Sequence, residues 1–87
     1  MSKNRKALKA VLKQVEANAK RAGYLSVWRH LKTDTLYVVR SHYIDEKTLS
    51  PYVLYYAKGS QPWETWGRSA EEFFDGRFEQ TFEGYGT

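Results

Sequence analysis

Arg29, Arg40 and Arg68 each stand beside an aromatic residue, in sequence or across neighbouring strands: Trp28, Tyr55 or Tyr56, and Trp66. A guanidinium grips phosphate through two parallel N–H bonds, and a flat ring stacks on a nucleobase for about 1–3 kcal/mol. The two histidines, His30 and His42, can donate further hydrogen bonds. The candidate ligand-binding set is therefore Trp28, Arg29, His30, Arg40, His42, Tyr56, Trp66 and Arg68. Within it the arginines would hold phosphate and Trp28, Tyr56 and Trp66 would stack. A plainer reading stays open, in which the rings build the core and the arginine stems cover it. Against it, so many cations near one sheet repel one another unless an anion joins them.

Other chemistries find less support. Two histidines with no i,i+4 pair and no cysteine do not make a metal-ligand pattern, so no metal site is expected. Ser41 and His42 are neighbours on a strand and face opposite ways, which suits no nucleophile–base pair. Hydrolysis by His30 or His42 with Asp45 or Glu64 stays conceivable, but isolated histidines in small sheets are more often hydrogen-bonded structural residues. Gly59 and Gly67 are single glycines and form no phosphate loop. The expectation is a binding protein with no catalytic residues and no cofactor.

The elements that must position these side chains begin with three aromatic and β-branched stretches between Trp28 and Ala57, each fenced by turn residues. They read as antiparallel strands: Tyr24 to Lys32, then one running from Thr35, then one entered at Pro51. Thr33-Asp34 is expected as a two-residue turn. In the second strand, strict alternation puts Leu36, Val38, Arg40 and His42 on one face, and Tyr37, Val39, Ser41 and Tyr43 on the other. The first of these faces would turn from apolar to cationic along its length. In the third strand Tyr52, Leu54 and Tyr56 oppose Val53, Tyr55 and Ala57. Trp63 to Arg68 reads as a fourth strand, with Trp63 and Thr65 opposite Glu64 and Trp66. Ser69-x-x-Glu72 has the form of a capping box opening a short helix near 70–75 that Gly76 ends, with Phe73 and Phe74 as its packing residues. Arg77 to Phe82 is a candidate last strand or an extended tail.

Ahead of the sheet, residues 1–23 predict a basic amphipathic helix, capped by Ser2 and stopped by Gly23. Leu8, Val11, Leu12, Val15 and Ala19 form its apolar stripe, with Lys6, Lys9, Lys13, Asn18 and Lys20 covering much of the remainder. The fold class is α+β: this helix on a bent antiparallel sheet of four to five strands, an SH3-like partial barrel, with a short C-terminal helix. Residues 24–82 make the sheet domain and 83–87 a flexible tail.

Eighty-seven residues hold one domain whose core is small enough that self-association would help it. The absence of cysteine rules out a disulfide framework. No apolar run is long enough to span a bilayer, and the basic N-terminal segment lacks the features of a secretory signal, so a cytoplasmic protein is expected. The net charge of +4 conceals an asymmetry. Lys3, Arg5, Lys6, Lys9, Lys13, Lys20 and Arg21 face only Glu16, so residues 1–22 carry +6 and the remainder −2.

Trp28-Arg29-His30, Leu36-Tyr37-Val38-Val39, His42, Thr48-Leu49, Val53-x-Tyr55 and Trp66-Gly67-Arg68 with Phe73-Phe74 follow one another in an order that resembles a known family. It is the short bacterial and phage family catalogued as domain of unknown function sixteen fifty-three. The resemblance runs from about Tyr24 to Phe74 and leaves the basic helix outside. Ser69 stands where that pattern has Pro, and Tyr56-Ala57-Lys58-Gly59 replaces its usual Ala-Leu-Tyr-Gly. The resemblance implies a bacterial or phage origin and names no activity.

Three functions compete. A small nucleotide-type anion needs a walled pocket, which a homo-oligomer could complete between subunits, as in compact phage proteins that sequester immune signals. A nucleic acid would use the basic helix together with the aromatic sheet. A protein–protein inhibitor would dock its aromatic surface on a host factor. No membrane partner is expected.

Overall fold

A computed structural model describes residues 2–61 and 63–81, with side chains from residue 5 onward. The elements are α1 (Ser2–Arg21), β1 (Val27–His30), β2 (Thr35–Asp45), β3 (Ser50–Ala57), β4 (Thr65–Ser69), α2 (Ala70–Phe73) and β5 (Phe78–Thr81). This is the expected α+β architecture. The five strands form one antiparallel sheet in the order β4-β3-β2-β1-β5, so the last strand returns to pair with the first. The capping side chain expected at Ser2 and the tail expected at 83–87 lie outside the described residues.

Paired residues in an antiparallel ladder share a face, so the register sorts the sheet into two sides. Trp28, Tyr37, Val39, Tyr55 and Phe78 belong to the inner face, and Val27, Val38, Tyr56 and Thr65 to the outer one. The sheet is strongly curled. In a flat sheet β3 and β5 would lie roughly 14 Å apart, yet the Tyr55 and Phe78 rings approach to 5.5 Å between centroids. Arg68 on β4 reaches across to within 5.5 Å of the Phe78 ring centre on β5, bringing the two edge strands over one hollow.

The inner face closes on an aromatic core. Phe73 of α2 is fully buried, stacks on Phe78 at 4.5 Å and meets the edge of Trp28 at 5.2 Å. Burial of one such ring contributes about 1.5–3 kcal/mol. The capping box expected from Ser69-x-x-Glu72 is present in its Ser69 half, whose Oγ accepts from the Glu72 N–H at 3.3 Å. Gly76 supplies the left-handed residue (φ 106°) that turns the chain from α2 towards β5.

Four local expectations are corrected. The second strand does not alternate strictly: the β2–β3 register shifts between Val39 and Ser41, a bulge at Arg40. One extra residue reverses every later side chain, so His42 and Ile44 share the inner face with Tyr37 and Val39, not the outer face with Leu36 and Val38. The first strand is shorter than Tyr24 to Lys32, because Leu25 takes a left-handed conformation (φ 69°) and Ser26 bonds back to Gly23 through both N–H and Oγ. The following turn is the four-residue Leu31–Asp34 loop, closed by Asp34 N–H donating to His30 O at 2.7 Å. In the fourth strand Trp63 precedes the pairing and lies in a turn.

The helix stripe is also rotated from the expected one. Val11, Asn18 and Ala22 are buried and Val15 half-buried, whereas Leu8 and Leu12 stand 40 % and 50 % exposed and Ala19 is exposed. Asn18, expected on the polar side, faces inward. Packing on the hairpin of β2 and β3 overrides the pattern that hydrophobicity alone would choose.

Candidate functional site

The eight candidate residues do not converge on one site. Trp28 is core: it is 4 % exposed, and its Nε1–H donates to Ser26 Oγ at 3.1 Å. That leaves it no free face for a ligand. His42 is also committed, because the bulge turns it inward and its Nε2 lies 2.6 Å from the Ala22 carbonyl at the end of α1. A carbonyl accepts only, so Nε2 carries the proton and donates. The other ring nitrogen, Nδ1, is buried without a partner among the described residues. Arg29 projects from the outer face and pairs with Asp34 at 3.2 Å, beside its own turn. Arg40 is exposed at the bulge, and Tyr56 lies half-buried on the outer face opposite Val38 and Thr65.

His30 and Arg68 do come together, on the inner side where the curled edges meet, and Arg68 shares an adjoining hollow with Trp66. His30, Leu31, Lys32, Arg68 and Arg77 line an open hollow of about 590 Å³. Each wall has a local cause. His30 is the last residue of β1 and pairs with Phe78, whose ring lies 4.9 Å from the imidazole. Its Nδ1 lies 2.9 Å from Thr33 Oγ1, and Nε2 has no hydrogen-bond partner among the described residues. Lys32 follows in the β1–β2 loop, and Arg77 immediately precedes β5.

Arg68 is the most constrained of these cations. Its Nε–H donates to Tyr55 Oη at 3.1 Å, and its guanidinium lies against the Phe78 ring. The Tyr55 hydrogen bond, with the charges of Glu72 and Asp75 behind it, raises its pKa above the ordinary value. Glu72 Oε1 sits 3.7 Å from Arg68 and 4.0 Å from Arg77, a loose carboxylate between two guanidinium groups. Arg77 is held more closely by Asp75 at 2.9 Å.

Arg68 also lines a second hollow, of about 360 Å³, with Tyr52, Tyr55, Trp66, Gly67, Ser69 and Glu72. Trp66 is 61 % exposed there, on the edge strand beside Tyr55. Gly67 lets the outer-face rings approach β4 closely: a Cβ there would stand 3.0 Å from Tyr43 Oη. Chemically the pair of hollows offers phosphate donors on one side of Arg68 and an exposed indole on the other. Among the described residues no three His, Cys, Asp or Glu side chains gather as metal ligands.

Lys32 and Arg77 were outside the candidate set. Lys32 could have been found from sequence, since it lies two residues beyond His30. Arg77 could not, because its place depends on β5 returning to pair with β1 across more than forty residues.

No protein-family model matches the chain, and no curated protein or solved structure matches it.

Proposed function

We propose that this protein is a non-enzymatic binder that captures an anionic, nucleotide-type small molecule. The observation that carries this reading is the double role of Arg68. One guanidinium lines both a cationic hollow, with His30, Lys32 and Arg77, and an adjoining hollow that presents Trp66. A ligand with phosphate at one end and a flat base at the other matches that division. The proposal narrows the binding set to His30, Lys32, Trp66, Arg68 and Arg77, and gives Trp28 and His42 structural duties.

Both hollows are open to solvent on one side, and small-molecule sites generally bury most of their ligand. The proposal therefore includes a second copy of the chain as the missing wall, docked through the exposed Leu8 and Leu12 of α1. An SH3-like partial barrel, open at the β4 and β5 edges, is its shape. Kinship with domain of unknown function sixteen fifty-three, a bacterial or phage source, a cytoplasmic setting and sequestration of an immune signal belong to the same proposal.

A second reading has its own observation: the exposed side chains of Arg5, Lys6, Lys9, Lys13 and Lys20 line α1, and Trp63 and Trp66 are 78 % and 61 % exposed. Cations tracking a backbone and rings under splayed bases are what single-stranded nucleic acid requires.

Calorimetry with cyclic and linear nucleotides, inorganic pyrophosphate and a single-stranded oligonucleotide separates these readings. Expected are saturable heat with a nucleotide, a loss of about tenfold or more in Arg68→Lys, and a loss in Trp66→Ala seen for nucleotides and not for pyrophosphate. Heat from the oligonucleotide alone, with a steep salt dependence, would replace the first reading by the second. Silence with every ligand would leave a protein-docking inhibitor.

A further inference from the structure

Between α1 and the start of α2 lies another cleft, of about 400 Å³, which shares only Ser69 and Glu72 with the hollow at Trp66. Its α1 wall presents Gln14, Asn18 and Arg21, at the i, i+4, i+7 spacing that aligns side chains on one helix face. Its other wall presents Ser50 and Pro51 from the start of β3, and Ser69, Ala70, Glu71 and Phe74 around α2.

Two of the charges on these walls are unspent. Arg21 lies over the Phe74 ring, 4.4 Å from its centre, and has no carboxylate within ion-pair reach among the described residues. Glu71 likewise has no ion-pair partner among them, in contrast to Glu72, which faces Arg68 and Arg77. A cation and an anion therefore stand on opposite walls of one cleft without closing on each other. Asn18, on the same wall as Arg21, is 7 % exposed, and its Nδ2 is buried with no acceptor among the described residues. A buried amide donor left without an acceptor is unfavourable, and a ligand oxygen would satisfy it.

Ligand classes sort by charge. A simple anion would be drawn to Arg21 and repelled by Glu71 and Glu72; a simple cation meets the reverse. A sugar would want an open aromatic face, but Arg21 already covers Phe74. A molecule carrying both charges satisfies both walls. We propose that this cleft binds a free α-amino acid, its carboxylate at Arg21 and the Asn18 carboxamide, its ammonium at Glu71 with the Ser50 and Ser69 hydroxyls beside it. Pro51, Ala70 and Phe74 supply apolar surface for the side chain. The site is separate from the anion hollow and does not depend on it.

The test is a titration of the full, ¹⁵N-labelled chain with L-leucine, N-acetyl-L-leucine and L-leucinamide, up to roughly 20 mM, a range suited to millimolar dissociation constants. The reporters are the Asn18 side-chain NH₂ pair and the backbone amides of Glu71 and Glu72. Saturable shifts are expected with leucine, and binding about fivefold weaker for each analogue that lacks one charge. Glu71→Gln should erase the preference over N-acetyl-leucine, and Arg21→Gln the preference over leucinamide. Both substitutions are at exposed positions, and unchanged far-ultraviolet circular dichroism checks that the fold persists. Absence of saturable shifts, equal binding of the three compounds, or variants that keep both preferences would each overturn the proposal.

Discussion

Tyr43 and Tyr52 stack across β2 and β3 on the outer face, their ring centres 5.1 Å apart. Partial burial, and then the neighbouring Tyr52 and Asp45, push the Tyr43 phenol above its ordinary pKa. A phenol whose pKa is higher folded than unfolded stabilises the fold in full below the unfolded value of about 10. That contribution is lost as pH rises through the folded value. Thermal melts should therefore show stability declining from about pH 10 upward, with a shallower decline in Tyr43→Phe. Coincident profiles for the two proteins would show that Tyr43 takes no part in alkaline unfolding. At this scale the sequence was readable where a residue's surroundings are local. The Ser69 cap and the packing of Phe73 and Phe74 follow from neighbours in the chain. The duty of Trp28 does not: beside Arg29 it resembles a stacking residue, and only the arrival of Phe73 and Phe74 at 5.2 and 5.8 Å makes it core.

Among the elements, the bulge at Arg40 has the widest consequences. Without it, His42 would stand on the outer face beside Val38, as strict alternation requires. With it, His42 turns inward, and its Nε2–H satisfies a carbonyl at the end of α1 that the helix itself cannot pair. The helix is tied to the sheet by that bond. His42→Ala should accordingly cost about 1–3 kcal/mol in denaturant unfolding, while nucleotide affinity measured on the folded variant stays as in the wild type. Lost affinity with intact stability would return His42 to the binding set. A bulge leaves little trace in composition, since any residue can occupy the extra position, and the register it sets depends on how β3 pairs. The two hairpin loops show the same division. Asp34 and Leu49 both close four-residue loops with positive φ, of 59° and 56°. Asp tolerates that conformation and Leu does not favour it, so Leu49 gives no sequence signal of the turn it makes.

For the whole molecule, the curl of the sheet decides what can meet. It brings β4 and β5, the two edges of the linear order, to either side of one hollow, and so assembles His30, Lys32, Arg68 and Arg77 from segments far apart in the chain. It also leaves α1 as a 20-residue helix, about 30 Å long, against a body whose longest extent is 44 Å. Leu8 and Leu12 stay open to solvent on that helix. No helix among the described residues is long and apolar enough to cross a membrane. If a second copy covers the leucines, light scattering will report a mass above that of one chain. Leu8→Lys with Leu12→Lys will then reduce it to the monomer without loss of helical signal. A wild-type monomer at high concentration would remove the inter-copy wall from the proposed site.

Taken alone, the sequence determined the kinds and order of elements: a basic helix, a meander of aromatic strands, a capped turn of helix and a closing extended segment. Those properties depend on periodicity and on residues within a few positions of one another, where propensity and patterning act directly. Which side chains share a hollow was decided only in three dimensions. Face assignment downstream of Arg40, the orientation of α1 and the meeting of the sheet's edges each depend on contacts between distant segments. A residue bulged out of the strand pairing, or a few degrees of strand twist, changes which faces and edges meet while composition and spacing stay as they were.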